Sequence, residues 1–319
     1  MTGAPPTIAL LSNQIAMDYL LPAFREACPG VQLRLQHELG ALQDIDAAVC
    51  WHPPAGLLAQ MPRLQLIQSL AAGIDHLSAD PDLPASVPLC RIVDGQMASG
   101  MAAYVAWAVV HGQRHMGAYL ASQQRREWRE QPVQHPGQHR VGIAGFGALG
   151  QACARTLASI GYPVSGWRRR ADADLPDDLA AVRLFHGDAQ LGDFLAGCDT
   201  LVCLLPLTEA TRGILNARLF ARLPRGAHLV NVGRGDHLVE ADLLAALDSG
   251  QLGAATLDAF STEPLPTGHA FWTHPRITVT PHIATRTPAA VIARQTLLNL
   301  AAVRDGRASQ VAIDRRRGY

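Results

Sequence analysis

The chain has 319 residues, of which 48% are apolar, and its 27 basic residues balance its 27 acidic residues. This composition is typical of a globular protein with two domains, and it argues against broad electrostatic binding to nucleic acid or to an anionic membrane. Every basic residue is an arginine, which excludes the Schiff-base chemistry of lysine and the phosphate-loop lysine of Walker-type nucleotidases.

The six cysteines form no C-x-x-C pair, and most of them lie in apolar runs. We therefore expect buried, reduced thiols, with neither disulfides nor a metal site. The first residues, MTGAPPTIALL, lack the basic and apolar regions of a signal peptide, and no apolar run reaches the length of a membrane span. These features predict a cytoplasmic protein.

The first part of the chain alternates short apolar runs with helical segments. The predicted strands are TIALLS, VQLRLQH, AAVCWH, LQLIQSL and PLCRIV, and residues 18–27 and 56–60 supply helical material between them. Strands spaced by helices form a parallel sheet that is covered on both faces. This pattern predicts a first doubly wound α/β domain, which we assign to residues 1–98.

An alanine-rich helix is predicted next, in the segment GMAAYVAWAVVHGQRH, residues 100–115. It links the two halves of the chain. Its small residues are compatible with a contact to another subunit and equally with internal packing, and periodicity alone does not separate these two interpretations. The following segment, QPVQHPGQHR, is predicted to be a loop because it contains two prolines and a glycine.

A second α/β pattern follows, which we assign to residues 99–285. Its predicted helices lie near residues 148–160, 214–222 and 239–249, and its predicted strands are HRVGIAGF, PVSGWR, TLVCLLP, AHLVNVG, AATLDAF and ITVTPH. Residues 286–319 are predicted to form a C-terminal helix, over 287–303, that returns to the first domain. The chain then finishes in RRRGY, which we expect to be a solvated tail.

A glycine-rich turn opens the second domain. Gly145, Gly147 and Gly150 form G-x-G-x-x-G directly after the strand VGIA and before a helix that begins with Ala148 and Leu149. In this context the glycines allow a tight turn, a close approach of backbone to pyrophosphate and close packing of helix on strand. We therefore predict a dinucleotide site at this turn.

The end of the next strand bears on the choice of cofactor. A site for NAD usually places a carboxylate there, whereas this chain has Trp167, Arg168 and Arg169. A guanidinium group offers a planar set of donors that matches a 2′-phosphate, and a carboxylate would repel one. The sequence therefore predicts a preference for NADP(H) over NAD(H), with surface arginines that merely face water as the alternative.

Three residues with complementary chemistry follow, each near the end of a predicted strand: Arg234, Glu263 and His282. Arginine can bind a carboxylate and polarise an adjacent carbonyl group, and histidine can donate a proton to the carbonyl oxygen as hydride arrives. A glutamate beside the histidine would stabilise its imidazolium form. Taken singly, each residue also has an ordinary structural role, as a core histidine, a turn cap or a surface arginine. Together they favour reduction of a 2-oxo acid.

The second half of the chain resembles the D-isomer-specific 2-hydroxyacid dehydrogenases. The matching motifs, in family order, are GFGALG, LLPLTEATRGILN, VNVGRG, DAFSTEPLP and TPHIA, and in the first half SLAAGIDHL resembles the substrate-carboxylate loop of the family. The segment WHPP at 51–54 and the W-x-R that ends the second strand are most similar to the glyoxylate/hydroxypyruvate reductases of the NADPH-preferring bacterial type.

This resemblance implies an α/β architecture of two doubly wound parallel-sheet domains, a flavodoxin-like substrate domain and a Rossmann cofactor domain, with the active site in a cleft between them and a homodimer formed by the cofactor domains. It implies that Asp258 receives the nicotinamide carboxamide. It assigns the backbone N–H groups of Ala72 and Gly73 to the substrate carboxylate. Trp51 is expected to shape the substrate pocket, although an ordinary core aromatic is an equally open interpretation. The residues expected to line the cofactor groove are Leu205, Pro206, Val232, Gly233, Arg234 and His282.

The sequence thus predicts an NADPH-dependent reductase of glyoxylate or hydroxypyruvate. Arg234 would bind and polarise the substrate, and His282, assisted by Glu263, would act as acid and base. One alternative is a D-2-hydroxyacid dehydrogenase for a bulkier 2-oxo acid. An alternative of another class is a dinucleotide-sensing binding protein, because related folds serve in such roles. Apart from the substrate and a second copy of the chain, we expect no nucleic-acid or membrane partner.

Overall fold

The computed structural model describes residues 5–170, 175–307 and 312–313, so the tail RRRGY lies outside the described residues. The chain folds into two compact units. The first unit comprises the described residues of Met1–Gly95 and Arg286–Tyr319, and the second comprises those of Gln96–Thr285.

The sheet of the first unit is built from short, buried strands. In the described part of the chain these are β1 (Thr7–Ser12), β2 (Gln32–Leu35), β3 (Ala47–Trp51), β4 (Leu66–Ser69) and β5 (Leu89–Cys90). They pair in parallel in the order β2-β1-β3-β4-β5, which is the flavodoxin-like order. The central strands are buried on both faces, which explains why they read as continuous apolar runs.

The sheet of the second unit has the Rossmann order. The strands among the described residues are β6 (Val141–Ala144), β7 (Val164–Arg168), β8 (Arg183–His186), β9 (Thr200–Cys203), β10 (Ala227–Asn231), β11 (Leu252–Leu257) and β12 (Ile277–Val279). They are parallel in the order β12-β11-β10-β9-β6-β7-β8, which is the dinucleotide-binding arrangement extended by one strand. The predicted fold class, doubly wound α/β, is confirmed.

Helices cover the two sheets. Among the described residues they are α1 (Leu21–Ala27), α2 (Asp75–Ser78), α3 (Gly95–Gln113), α4 (Met116–Arg125), α5 (Ala148–Ile160), α6 (Leu191–Ala196), α7 (Ala217–Phe220), α8 (Glu240–Asp248) and α9 (Ala289–Arg304). Helix α9 packs in the first unit against α1 and β4, and its Asn299 donates to the buried Gln68 at 2.8 Å. No helix in the described ranges has both the length and the apolar character needed to cross a membrane.

The linking helix differs from its prediction. Helix α3 begins five residues before the predicted start and ends at Gln113. His115, which has a φ of +53°, is the N-cap of helix α4, a helix that the sequence did not predict. One face of α3 packs in the core of the second unit through Met101, Val105 and Val109, as the internal-packing interpretation requires. On its other side the Trp107 side chain is 42% exposed.

Strand β8 is a further element that the sequence pattern did not reveal. It lies at the edge of the second sheet, next to β7, and its four residues, RLFH, include an arginine and a histidine. An edge strand needs no continuous apolar run, because one of its sides has no strand neighbour. Pairing with β7 is therefore what defines it.

Candidate active site

The connectivity of the second sheet reverses between β6 and β9, which pair directly although β7 and β8 lie between them in the chain. In open α/β sheets, ligands bind outside the carboxyl ends of the strands at such a switch point. Gly145 directly follows β6, and the buried Leu205 and exposed Pro206 lie just after β9. The predicted phosphate turn and groove residues therefore meet at the position where this fold binds ligands.

The glycine turn has no room for side chains at two of its positions. Gly145 has a φ of +101°, and a Cβ atom there would lie 2.5 Å from the carbonyl oxygen of Leu204. A Cβ atom at Gly150 would lie 2.3 Å from the carbonyl oxygen of Gly145. At Gly147, by contrast, no described atom lies within 4 Å of the position that a Cβ would take. The turn is thus tightly packed on its inner side and open on the outer side.

The open side of the turn coincides with the start of α5. Its N-cap residue, Gly147, has no side chain that could occupy the N–H groups of the first turn, and Ala148 is exposed while Leu149 is half-buried. The N–H groups of the first turn of a helix lack intrahelical acceptors and carry a partial positive charge. The start of α5 therefore fits a pyrophosphate, which supports the assignment of this turn to a dinucleotide.

The end of β7 carries the two arginines. Arg168 is half-buried and Arg169 is exposed. These two arginines lie at the strand end where sites for NAD usually carry a carboxylate that binds the ribose. The Trp167 side chain, by contrast, is buried: it is 2% exposed, and its indole N–H donates to the carbonyl oxygen of Gly187 at 2.9 Å. The Trp167 side chain therefore presents almost no surface to a ligand.

The three predicted catalytic residues follow three adjacent strands. Arg234 follows β10, Glu263 lies in the loop after β11, and His282 lies just after β12. Because these strands are parallel neighbours, their carboxyl ends lie along one edge of the sheet. The fold thus brings together residues that are 48 positions apart in the chain, counted from 234 to 282.

His282 and Glu263 are joined by a direct hydrogen bond, with 2.8 Å between Nδ1 and Oε2. The other carboxylate oxygen of Glu263 accepts from the backbone N–H of Phe260 at 2.9 Å, which fixes its orientation. Burial by itself would raise the pKa of Glu263, but the hydrogen bond and charge of His282, the Phe260 N–H and the charge of Arg234 outweigh burial and lower that pKa. Glu263 is therefore an anion at neutral pH.

Arg234 is held from both sides by its own loop. Its N–H donates to Nδ1 of the fully buried His237 at 3.0 Å, and its carbonyl oxygen accepts from Asn231 at 3.0 Å. Its guanidinium group donates to the carbonyl oxygen of Gly233 at 3.0 Å. These bonds fix the backbone of Arg234 and the position of its guanidinium group.

The loops of Arg234 and Glu263 touch through their backbones. A Cβ atom at Gly235 would lie 1.8 Å from the carbonyl carbon of Phe260, so only glycine fits at this position. The contact places the residue after Arg234 against the residue whose N–H binds Glu263. Because the two loops are in contact, the positive charge of Arg234 is near enough to Glu263 to lower the pKa of its carboxylate.

Asp258 is the most buried of the predicted site residues with a charged side chain, at 1% exposure. Its carboxylate accepts from the hydroxyl of Thr280 at 2.6 Å and from the N–H groups of Ile283 and Ala284, each at 2.8 Å. Burial raises the pKa of Asp258, although these bonds and the charge of His282 oppose the rise. Asp258 thus binds the loop on both sides of His282.

The remaining predicted residues lie in the first unit, away in sequence from the catalytic trio. The Trp51 side chain packs against the His76 ring at 4.6 Å between ring centroids and against His52 at 5.0 Å. The loop after β4 is closed by the Ser69 hydroxyl, which donates to the carbonyl oxygens of residues 71 and 73. In this described loop, neither Ala72 nor Gly73 has an intramolecular acceptor for its N–H group.

Several residues that support the site were not identified from the sequence. Asn231 and His237 orient the Arg234 loop, and Thr280 bonds Asp258. One signal was available: a polar side chain inside an apolar run, such as Asn231 in LVNV, is normally retained because it makes specific hydrogen bonds. His237 and Thr280 give no comparable signal: His237 lies outside an apolar run, and the partners of Thr280 are side chains 22 and 176 positions away.

Comparison with known proteins places this arrangement in a family. The family profile described as D-isomer specific 2-hydroxyacid dehydrogenase, NAD binding domain, matches residues 106–284. The glyoxylate/hydroxypyruvate reductase A of Yersinia enterocolitica is 40% identical over 305 residues, covering 94% of this chain and 95% of that protein. The protein of the same name from Serratia proteamaculans is also 40% identical, over 304 residues, with the same coverage.

Solved structures agree with the sequence comparisons. A D-isomer specific 2-hydroxyacid dehydrogenase from Xanthobacter autotrophicus Py2, in complex with NADPH and MES, has a TM-score of 0.90 at 37% identity and covers 99% of this chain and 100% of its own. The NADPH-dependent glyoxylate/hydroxypyruvate reductase of Sinorhizobium meliloti, in complex with NADP and sulfate, has a TM-score of 0.89 at 35% identity, covering 98% and 100%. This chain therefore belongs to the family of D-isomer specific 2-hydroxyacid dehydrogenases.

Proposed function

We propose that this protein reduces a short 2-oxo acid, glyoxylate or hydroxypyruvate, to the 2-hydroxy acid with NADPH. The observation that carries the proposal is the 2.8 Å hydrogen bond between His282 and Glu263, on the sheet edge that also carries Arg234. The choice of acid is supported by relatives with the name glyoxylate/hydroxypyruvate reductase A, which are 40% identical to this chain.

The proton in this reaction comes from His282. Glu263 is an anion and contacts Nδ1, so Nδ1 keeps its proton and Nε2 is the atom that meets the substrate. As hydride reaches the carbonyl carbon, Nε2–H donates its proton to the carbonyl oxygen, which becomes the hydroxyl group of the product. The neutral ring that remains can accept a proton in the reverse direction.

Arg234 would bind the substrate carboxylate. The guanidinium group of Arg234 can bind a carboxylate through two donors and polarise the neighbouring carbonyl group. Within the first unit, the N–H groups of Ala72 and Gly73 also suit a carboxylate, because no acceptor among the described residues occupies them. Trp51, which packs against His76, would limit the size of the substrate.

The glycine turn would hold the cofactor, which supplies the hydride when bound. The pyrophosphate would lie on Gly145, Gly147, Ala148, Leu149 and Gly150, and Arg168 and Arg169 would bind the 2′-phosphate of NADP(H). Leu205, Pro206, Val232 and Gly233 would line the groove between them. Asp258 would accept from the nicotinamide carboxamide through Oδ2, which accepts from Ala284 alone among these bonds, whereas Oδ1 already accepts from Thr280 and Ile283.

The wider organisation follows from these roles. We assign substrate binding to residues 1–98 with the returning segment 286–319, and cofactor binding to residues 99–285. We also infer a homodimer, because the second unit exposes large apolar side chains that a second copy would cover, namely Trp107, Met116, Leu120, Trp128 and Val133, with Trp128 95% exposed. The six buried free cysteines support a reducing, cytoplasmic location.

A substrate panel tests the proposal. The purified protein is assayed with glyoxylate, hydroxypyruvate, pyruvate, phenylpyruvate and a branched 2-oxo acid, each with NADPH and with NADH. We expect the highest kcat/KM for one of the two short acids with NADPH. A bulky acid that exceeds both short acids by tenfold or more would replace the substrate assignment. His282→Ala, which should bind NADPH yet lose nearly all turnover, controls for contaminating reductases.

A further inference from the structure

A chain of hydrogen bonds runs from helix α3 to the loop that carries the acid–base histidine. The hydroxyl of Tyr104 lies 2.5 Å from Oγ1 of Thr280, and that oxygen lies 2.6 Å from Oδ1 of Asp258. The same carboxylate binds the N–H groups of Ile283 and Ala284 at 2.8 Å. All these residues belong to the second unit, so one folded body contains the whole chain of bonds.

The direction of the protons in this chain follows from the inventory of donors. A carboxylate only accepts, so Thr280 uses its single proton toward Asp258. The bond between the two hydroxyls must then be donated by Tyr104. Burial raises the pKa of Tyr104, and the charge of Asp258 raises it further against the effect of the Thr280 bond, so the phenol keeps its proton throughout the neutral range.

The chain ends on a strained loop. His282 has a φ of +52°, a left-handed conformation that residues other than glycine adopt at a cost in free energy. Asp258 binds Thr280 on one side of this residue and Ile283 and Ala284 on the other. The carboxylate thus clamps the loop, and the clamp on one side depends on the direction of the Thr280 hydroxyl.

We propose that Tyr104 is a positioning residue for the reduction, which through Thr280 and Asp258 holds the 280–284 loop so that His282 meets Glu263. This inference rests on the proposed function of the same site. Without the phenol hydroxyl, the Thr280 hydroxyl loses its only side-chain donor among the described residues and can rotate away from Asp258. One side of the clamp then opens, and the His282 ring is held less closely against Glu263.

The test compares variants that remove a single hydroxyl group with one variant that keeps it. Tyr104→Phe and Thr280→Val should each lower kcat for glyoxylate reduction about tenfold, because small displacements of a catalytic group reduce the rate steeply. Thr280→Ser, which keeps a hydroxyl, should recover most of the loss. Tyr162→Phe is the matched control: its buried hydroxyl donates to Gln113 at 2.9 Å in the same unit, so the chemical change is equal but the loop is untouched.

A second readout separates positioning from general stability. In each variant the His282 ring is titrated by NMR, with its signal assigned from His282→Gln, and the midpoint should move to lower pH in Tyr104→Phe and Thr280→Val but not in Tyr162→Phe. A Tyr104→Phe midpoint and kcat equal to those of Tyr162→Phe would overturn the inference. If the unaltered protein reduces neither short acid, the proposed function fails, while the titration still decides whether Tyr104 positions His282.

Discussion

His282 lies between two carboxylates whose environments differ. Glu263 contacts the ring at 2.8 Å and has a lowered pKa. Asp258 has a pKa that burial raises, although its carboxylate accepts from two backbone N–H groups. In the proposed reaction the first carboxylate is the charge that stabilises an imidazolium ion, and the second anchors the loop. Neighbouring carboxylates with opposite shifts commonly divide their roles in this manner.

This division predicts the effect of Glu263→Gln on the pH profile. The amide can still accept from Nδ1 but carries no charge, so the imidazolium form of His282 loses its stabilisation. Reduction requires that form, and its rate should therefore begin to fall about one pH unit lower than in the unaltered enzyme. Asp248→Asn is the control, because Asp248 contacts His274 at 3.7 Å, before β12 begins, whereas His282 lies after β12 ends. An unchanged profile in Glu263→Gln would remove Glu263 from the acid–base pair.

A second prediction at this scale concerns the cofactor. Arg168→Asp replaces a guanidinium group at the end of β7 with a carboxylate, which repels a 2′-phosphate but suits the ribose hydroxyls of NADH. We expect the KM for NADPH to rise about a hundredfold and the KM for NADH to change little. Arg183→Asp, at the opposite end of the neighbouring strand β8, should affect neither value. Equal losses with both cofactors in Arg168→Asp would contradict the assignment.

Elements of structure meet at the active site through backbone contacts that tolerate no side chain. The loop after β10 and the loop after β11 touch at Gly235, where a Cβ atom would overlap the backbone of Phe260 and Ser261. These loops carry Arg234 and Glu263, so the distance between the two loops depends on Gly235, a residue with no side chain. A glycine in this position is part of the site because it determines the distance between two functional groups.

Gly235→Ala should therefore separate the two loops. The added carbon would lie 1.8 Å from the Phe260 carbonyl carbon, so the backbone must move, and we expect kcat/KM to fall about a hundredfold together with a lower unfolding temperature. Gly268→Ala, in the same loop region, meets no described atom within 4 Å and should change neither quantity. Activity close to that of the Gly268 variant would show that the loops are not held by this contact.

The sequence predicts those elements that depend on local pattern. The strands rich in apolar residues, the helix α5 and the glycine turn all follow from runs and spacings that are visible within about twenty residues. Edge strand β8 and the helices α2, α4 and α6 are defined instead by their neighbours in space. Likewise Tyr104 bonds Thr280 across 176 positions, and its helix offers no polar pattern that singles it out. Contacts of this range are set by the tertiary fold.

At the scale of the whole molecule, the second unit contains a group of neutral histidines at the amino end of its sheet. His139 bonds Thr200 of β9 at 2.8 Å, and His228 bonds Thr256 of β11 at 3.0 Å. Burial, with the nearby charges of His111 and His139, lowers the pKa of His228 to about 3. Burial is also the main cause that lowers the pKa values of His111 and His139. The folded protein therefore resists protonation at positions that the unfolded chain would protonate.

This difference predicts a fold that weakens in mild acid. An unfolded histidine protonates near pH 6.5, so stability from the neutral His228 is fully present above that pH and is lost as the pH falls toward about 3. In this window His228 contributes a slope of about 1.4 kcal/mol per pH unit. His228→Gln keeps a polar group for Thr256 but cannot titrate, so between pH 6.5 and 4 its urea unfolding midpoint should fall less steeply than that of the unaltered protein. His37→Gln, whose histidine side chain is 70% exposed, should leave the slope unchanged. Parallel slopes in His228→Gln and the unaltered protein would mean that other groups cause the acid sensitivity.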